Sequence, residues 1–436
     1  MRQRRQLWLL VALVGLLLCG MLWWTQLRLP EFVVPPRQYP PNNAYDAYKQ
    51  MAQAMYDQRS QDRRLYDIER QLFSGQEPNP AIPEADKRYY LQRRRPFLEA
   101  YRKHLDQPCK AVFEYAFDWP LPELAMFRQI AQIESVLIDD ALEAGRKAEA
   151  MQRLHDLMRF SEQIRTDGAL IHYLVGSSMI EIGLRPIRQR LMQIQSPETL
   201  DALIGLARRY EQRRALLKNA IQHEYYFGLA THRDIASGKI KPDDIKAMMF
   251  NITFNSGFER WFYESGFGLR LTWRRSLLEL QQYYESVFTE LEKPLWERKI
   301  PALNPKQRIN QMFLPSLDLA GDKELTELAI VRLLGCYAAV KRYYQQRKAY
   351  PPSLEALRSE LGEMIIDPFT GKPFVYRADP ERGFQLYSVG ENLTDDGGRL
   401  SANRQQGDLL PITAGALPEG QRPSPTRLFS PPVWLR

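Results

Sequence analysis

The stretch that decides the fold of the C-terminal part of the chain is Tyr350-Pro351-Pro352-Ser353-Leu354-Glu355-Ala356-Leu357. Directly before it, apolar residues recur three or four positions apart over residues 325–344, which predicts a long helix with one broad apolar face. Proline cannot continue the hydrogen-bond ladder of a helix, so the proline pair ends this helix. Ser353 can then cap a short helix that runs to Leu361.

The residues that follow predict a small antiparallel hairpin and an acidic loop. Residues 372–377 and 384–386 alternate between apolar and polar side chains, which is typical of short strands. The sequence Asp-Pro-Glu-Arg-Gly at 379–383 is rich in turn-forming residues and would connect the two strands. Beyond the second strand, residues 386–398 read Leu-Tyr-Ser-Val-Gly-Glu-Asn-Leu-Thr-Asp-Asp-Gly-Gly.

The ordered set of long helix, hairpin and acidic loop over residues 322–398 resembles the head of the major pseudopilin of type II secretion. The resemblance implies a long helix packed against a small sheet, with a structural calcium ion in the final loop. On this sequence the loop matches at Asp395 and Asp396, with Asn392 and Ser388 as further oxygen donors. Calcium takes about six to eight oxygen ligands, some from backbone carbonyls. The alternative for the same residues is an ordinary solvated turn.

The chain departs from pseudopilins at its N-terminal end. Pseudopilins carry a cleavage site of glycine followed by Phe-Thr-Leu, whereas the apolar segment here begins with Gln-Leu-Trp-Leu at 6–9. Residues 25–321 also separate that segment from the module. We therefore expect the fold of the module but not assembly into a pseudopilus. The whole arrangement also resembles uncharacterised membrane-anchored envelope proteins of planctomycete-type bacteria, which implies no activity.

The N-terminal segment predicts a membrane anchor. Residues 7–24 are apolar and uncharged, and residues 1–6 form a basic stub with three arginines. The apolar run is near the lower length limit for crossing about 30 Å of hydrocarbon. Arginines favour the cytoplasmic side, so we expect a single-pass protein of the inner (cytoplasmic) membrane, with residues 25–436 extracytoplasmic. A cleaved signal peptide and a lipoprotein anchored through Cys19 are the alternatives.

Composition and periodicity divide the rest of the chain into a linker, a helical domain and a tail. Residues 25–42 predict a proline-rich linker, and residues 43–310 predict a helical domain. Within that domain, residues 122–165 predict two antiparallel helices that resemble a tetratricopeptide-type hairpin, although an irregular bundle fits better than a repeat array. Residues 399–436, with six prolines and five arginines, predict a disordered tail. The fold class is therefore mainly α, with a transmembrane helix, a helical bundle and a small α+β module.

An aromatic segment at 246–275 lacks clear periodicity and contains Phe258, Trp261 and Phe262. We expect it to be a core-packing connection, because aromatic clusters mostly fill cores. The alternative is a loop that contacts lipid, glycan or a partner.

Charge and cysteine usage exclude some function classes. The formal net charge of +8 lies mostly in the N-terminal 30 residues and in the tail, so nucleic acid is not an expected partner. Outside the predicted anchor the cysteines are Cys109 and Cys336, which form either one disulfide or two buried thiols.

No catalytic constellation is evident in the sequence. The histidines at 104, 155, 172, 223 and 232 contain no pair with i,i+4 spacing, and no phosphate-binding loop or nucleophile elbow occurs. We expect a scaffolding or binding protein that contacts the bilayer through residues 7–24 and a protein partner in the envelope. The alternatives are an envelope hydrolase with a site assembled in the helical domain, or a minor component of a type II secretion or type IV pilus-like machine.

Overall fold

The computed structural model describes residues 2–22, 32, 34–74, 82–116, 119–240, 244, 256–315, 317–402, 406–424 and 426–435. Within these residues the chain is mainly helical and has a two-stranded antiparallel sheet, as the sequence predicts. The helices are α1 (Arg2–Leu22), α2 (Ala44–Gln61), α3 (Arg63–Leu72), α4 (Glu84–Arg102), α5 (Glu123–Glu143), α6 (Lys147–Arg165), α7 (Leu170–Arg190), α8 (Pro197–Arg213), α9 (Leu217–Ser237), α10 (Gly257–Glu264), α11 (Phe267–Leu291), α12 (Arg308–Phe313), α13 (Asp318–Arg347) and α14 (Arg358–Leu361).

The predicted hairpin over 122–165 is confirmed as the antiparallel pair α5 and α6. Gly145 turns the chain between them at φ +73°, a conformation that glycine adopts without steric cost. Helix α7 packs against both. Gly183 permits this close packing, because a Cβ atom there would lie 2.6 Å from Leu157 Cδ2. These three helices form the centre of the helical region.

Helix α13 joins the helical region to the C-terminal module. It packs along α8 and α7, and its buried residues share one hydrophobic cluster with residues of α5–α8 and with residues 354–435. The core therefore continues across the boundary predicted between the helical domain (43–310) and the module (322–398). The α13 apolar surface is buried nearly all round over residues 327–341, because different partners cover different sides of it.

The hairpin of the module is confirmed with shifted strand boundaries. Strand β1 (Val375–Asp379) pairs with β2 (Gly383–Tyr387) in antiparallel register, with Arg377 opposite Gln385. The Asp379 side chain accepts hydrogen bonds from the amides of Glu381 and Arg382 at 2.8 and 2.9 Å, which fixes the turn. The β2 side chains are all buried.

The tail is folded where the structure describes it, so the predicted disorder of residues 399–436 is wrong for those residues. Leu435 exchanges backbone hydrogen bonds with Phe384, which extends the sheet edge. Leu410, Ile412 and Val433 are buried in the core shared with α13. Prolines and arginines lower the apolar content, but a few well-spaced apolar side chains suffice to hold this segment against a preformed surface.

The N-terminal helix α1 exposes its described apolar side chains, including Leu13 at 59% and Leu17 at 66%. Among the residues that the structure describes, no helix has the length and apolar character needed to span a membrane. The predicted anchor over 7–24 extends into residues 23–24, which lie outside the described residues.

The predicted linker is docked on the body where it is described. Phe32 and Val34 pack against a cluster of α9 and α11 side chains. The Tyr39 hydroxyl donates to the carbonyl of Phe113 at 2.9 Å. Residues 25–31 and 33 of the predicted linker lie outside the described residues. The segment between α1 and α2 therefore packs against the helical region over part of its length.

Cys109 and Cys336 are buried free thiols that lie in different hydrophobic clusters. Of the two interpretations of the sequence, a disulfide or buried thiols, the structure therefore supports buried thiols. Burial raises the pKa of each thiol to about 12, so both stay protonated at neutral pH.

Candidate ligand cleft

A cleft of about 450 Å³ lies between α7, α13, the loop after β2 and the tail. Its walls therefore come from three parts of the chain that are distant in sequence. Charged side chains of both signs line it: Glu181, Arg185, Arg188, Asp322, Lys323, Glu327, Glu391 and Asp408. Apolar lining residues such as Ile180, Leu184 and Ile330 complete the walls. A concave site of this kind, with a few polar groups on an apolar wall, is typical of small-ligand pockets.

Buried ion pairing fixes the floor of the cleft. Glu327 on α13 accepts hydrogen bonds from Arg165 Nη1 at 2.9 and 3.3 Å. The hydroxyls of Ser177 and Tyr210 also donate to this carboxylate. Burial alone would lower the pKa of Arg165, but the Glu327 charge raises it above its ordinary value. The floor therefore carries a fixed, mutually neutralised pair rather than a free charge.

The tail forms one wall because α7 holds it in place. Arg188 donates from Nη2 to the carbonyls of Leu410 and Ile412 at 2.9 and 3.1 Å. Its Nε donates to the carbonyl of Pro411 at 3.2 Å. A guanidinium group has several donors in one plane, which suits it to this row of carbonyls. The wall is therefore attached to the helical region by side-chain contacts as well as by the core.

Asp322 and Glu391 form a carboxyl pair at the rim. Burial, together with the nearby carboxyls of Glu391 and Asp318, raises the pKa of Asp322 to about 6. Asp322 and Glu391 are joined by a side-chain hydrogen bond, and two carboxyls can share such a bond only when one of them keeps a proton. Asp322 therefore keeps its proton at a pH where an isolated aspartic acid would have lost it.

Asp408 is the buried carboxyl of the tail wall. It accepts hydrogen bonds from the amides of Asp396, Gly398 and Arg399 at 3.2, 2.7 and 3.4 Å. Burial raises its pKa to about 6, although these amides oppose the shift. Sequence reasoning missed Asp408 because it lies in the segment that composition predicts to be disordered. The apolar residues that follow it, Leu409 and Leu410, are the signal that could have placed it in the fold.

The residues predicted to bind calcium lie in the loop beside this cleft, and most of their oxygens already accept hydrogen bonds from the protein. Asp395 Oδ1 accepts from Tyr387 Oη and from the Gly397 amide, both at 2.9 Å, and Oδ2 lies 3.3 Å from Arg377 Nη2. Two further residues of the predicted set, Asn392 and Asp396, contact each other at 3.4 Å.

Ser388, the fourth predicted ligand, is buried, and its hydroxyl accepts from the Gly390 amide at 3.0 Å. Among the described residues, no three or more His, Cys, Asp or Glu side chains are grouped so that they could hold a metal ion. Calcium binding stays a prediction of the resemblance alone.

A second ionisable cluster fastens the linker to the body. His223 on α9 contacts Asp167 Oδ1 through Nε2 at 2.8 Å and Tyr115 Oη through Nδ1 at 2.7 Å. Arg37 donates to the carbonyls of Ala111 and Asp167 at 2.8 and 2.7 Å.

The Arg37 guanidinium also stacks 3.9 Å above the Phe113 ring. Burial opposes ionisation of Asp167, but the hydrogen bond from His223 and the charge of Arg37 hold its pKa below the ordinary value. Asp167, His223 and Tyr115 are arranged in a row of hydrogen bonds, as in a proton relay. Arg37 of the linker binds at this row, so the cluster holds the linker on the body.

The chain matches no family model, and comparisons with curated proteins and with solved structures gave no significant match.

Proposed function

We propose that this chain is a membrane-anchored, extracytoplasmic binding protein whose cleft takes a small cationic ligand. The observation that carries the proposal is the cleft itself, which joins α7, α13 and the tail around carboxyls that retain protons near pH 6. The continuous core around α13 makes these walls one rigid frame. In this proposal, an envelope protein partner binds elsewhere on the helical region and does not change the shape of the cleft.

The charges in the cleft favour an amine over an anion. Lys323 is paired with Glu181 at 3.1 Å, and Arg188 is bonded to tail carbonyls. With Arg185, three cationic side chains line the cleft against five carboxyls. The neighbours that act on Asp322, by contrast, are carboxyls. An ammonium group placed between Asp322 and Glu391 would favour the ionised form of Asp322 and would offset the repulsion between the two carboxylates. Ligand binding and proton release are therefore coupled in this proposal.

Membrane anchoring rests on the apolar sequence over 7–24 and on the three arginines before it. The exposed apolar side chains of α1, such as Leu13 and Leu17, support it, because a helix of this kind needs an apolar surrounding. Orientation follows from the arginines, which places residues 25–436 outside the cytoplasm in this proposal.

A second candidate function is hydrolysis. Two carboxyls in one cleft, Asp322 and Asp408, have pKa values raised to about 6, as a proton-donating catalytic acid requires. A catalytic role would make turnover, rather than amine binding, depend on Asp322. A binding role predicts saturable association without product.

Calorimetry with the full-length, detergent-solubilised protein tests the proposal. The probes are 1,4-diaminobutane and its uncharged isostere 1,4-butanediol. We expect heat from the diamine alone, with about tenfold weaker binding by Asp322→Asn, since this variant removes one charge-assisted bond. Glu419→Gln removes an exposed carboxylate outside the cleft and is the matched control.

Absence of diamine binding, or an equal decrease in affinity in the two variants, would overturn the amine-binding proposal. Hydrolysis of a chromogenic glycoside or ester that disappears in Asp322→Asn would favour the hydrolase. Accessibility of a C-terminal tag to a protease on intact spheroplasts tests the orientation separately.

A further inference from the structure

Helix α10 presents an aromatic face that the protein does not cover. Phe258 is 71% exposed and Trp261 is 61% exposed. The Phe258 ring stacks on Phe262 at 6.1 Å and lies 5.8 Å from Trp261. These positions are related as i, i+3 and i+4, so they share one face of the helix. The expectation that this segment packs in the core is therefore wrong for α10, which has no buried residue.

The other side of α10 holds the helix firmly on the body. Glu259 forms an ion pair with Arg308 at 2.7 Å. Tyr263 packs against a cluster that includes Trp273. Gly268 leaves room for the Phe262 ring, because a Cβ there would lie 2.4 Å from Phe262 Cδ1. The outward direction of the aromatic face is thus set by the fold.

Exposed basic side chains lie at the same end of the molecule as α10, and the acidic side chains that pair with two of them are more shielded. Lys239 is 68% exposed at the side chain, whereas its partner Asp234 is 9% exposed. Arg260 is 67% exposed, whereas its partner Glu264 is 24% exposed. On the first turn of α11, Arg270 is also exposed. Exposed basic side chains of this kind complement anionic lipid headgroups.

The linker limits how far the body can lie from the bilayer. Phe32 and Val34 pack against the cluster formed by α9 and α11, and α11 directly follows α10. The ten Cα–Cα steps from Leu22 to Phe32 span at most about 35 Å. If α1 crosses the membrane, the body cannot move farther from the lipid than this distance.

We propose that α10 lies in the plane of the lipid–water interface, with Phe258 and Trp261 among the acyl chains and the exposed basic residues Lys239, Arg260 and Arg270 on anionic headgroups. Aromatic residues on one face and basic residues beside them are the pattern of interfacial helices. α10 is then a second contact with the anchored membrane and fixes the tilt of the body, and with it the direction in which the cleft opens. This inference rests on the membrane anchor of the proposed function.

Site-directed spin labelling in nanodiscs tests it with the full chain. Cys19→Ser removes the exposed native thiol, whereas Cys109 and Cys336 are buried. Labels are then placed singly by Phe258→Cys on α10, Leu13→Cys on α1 and Glu419→Cys on the exposed tail surface. Depth is read from the relative accessibility of the label to oxygen and to a water-soluble nickel complex.

In discs with phosphatidylglycerol, we expect position 258 at the boundary between headgroups and acyl chains, position 13 deeper in the hydrocarbon and position 419 in water. Discs of phosphatidylcholine alone remove the anionic headgroups. There we expect the bound-to-free ratio at position 258 to fall about fivefold for each basic side chain that no longer meets an anionic headgroup. A label at 258 that behaves like the one at 419, while 13 stays in hydrocarbon, overturns the α10 inference and leaves the anchor intact. A label at 13 in water overturns the anchor.

Discussion

Arg165 on α6 and Glu327 on α13 meet inside the core, with 2.9 Å between Nη1 and Oε1, and their side chains are 0% and 5% exposed. The two residues are separated by 162 positions along the chain. Their contact joins the region that sequence predicts as a helical domain to the helix that begins the predicted module. It also places Glu327 at the floor of the cleft. The energetics of this pair therefore bear on the fold and on the site together.

Removing one partner of this pair should destabilise the protein strongly. Arg165→Met leaves the Glu327 carboxylate buried without its counter-charge, which typically costs about 3–5 kcal/mol. The double variant Arg165→Met, Glu327→Leu should recover much of that stability, because no buried charge remains. Urea unfolding followed by circular dichroism measures both. A single variant as stable as the parent protein would show that water reaches Glu327.

The carboxyl of Asp322 should make stability depend on pH in a defined window. Its folded pKa is raised from 3.8 to about 6, so the folded state holds the proton more tightly than the unfolded state. Well below pH 3.8, at about pH 3, both states are mostly protonated and the effect is small. As the pH rises from about 4 to 6, the unfolded state ionises first, so the free energy of unfolding falls.

Asp322→Asn should therefore be more stable than the parent protein at pH 7, and not at pH 3. The expected gain is on the order of 1 kcal/mol, because solvent screens this half-buried group. Melting temperatures at the two pH values measure it. Glu419→Gln, at an exposed carboxylate, should show no such difference. A gain in Asp322→Asn that is equal at both pH values would contradict the shifted pKa.

The tail should contribute to stability through its buried apolar side chains. Leu435 is 0% exposed and bonds to Phe384, whereas Leu428 is 57% exposed. Leu435→Ala creates a cavity and should cost about 2–4 kcal/mol. Leu428→Ala makes the same chemical change at the surface and should cost less than about 0.5 kcal/mol. Equal midpoints in urea for these two variants would show that the tail is not packed in solution.

The sequence predicts local elements better than it predicts their assembly. The hairpin around 379–383 follows from the chemistry of adjacent residues and is observed. Helix α13 ends at Arg347, a few residues before the proline pair that predicts its end. The cleft does not follow, because Asp322, Glu391 and Asp408 are far apart in sequence and meet only through tertiary packing. Average composition hides the few apolar residues that fix the tail. The same limit applies to the linker, where prolines suggest a free spacer but Arg37 finds acceptors on distant loops.

The Arg37 clamp gives the last prediction. Its Nη2 donates to two carbonyls, Ala111 and Asp167, and the guanidinium stacks on Phe113. Lysine keeps the charge but lacks the planar set of donors, so Arg37→Lys should release the linker nearly as fully as Arg37→Ala. Limited proteolysis should then cut residues 34–43 faster, by about fivefold or more, since a decrease of about 1 kcal/mol in local stability raises the open population by that factor.

Arg63→Ala changes an arginine whose side chain is 86% exposed and serves as the control. It should leave cleavage of the linker unchanged. If Arg37→Lys stays as protected as the parent protein, charge alone holds the linker, and the pairing of Arg37 with Asp167 at 3.3 Å is then the contact that matters. Protection retained in Arg37→Ala as well would mean that the packing of Phe32 and Val34 suffices to hold the linker on the body.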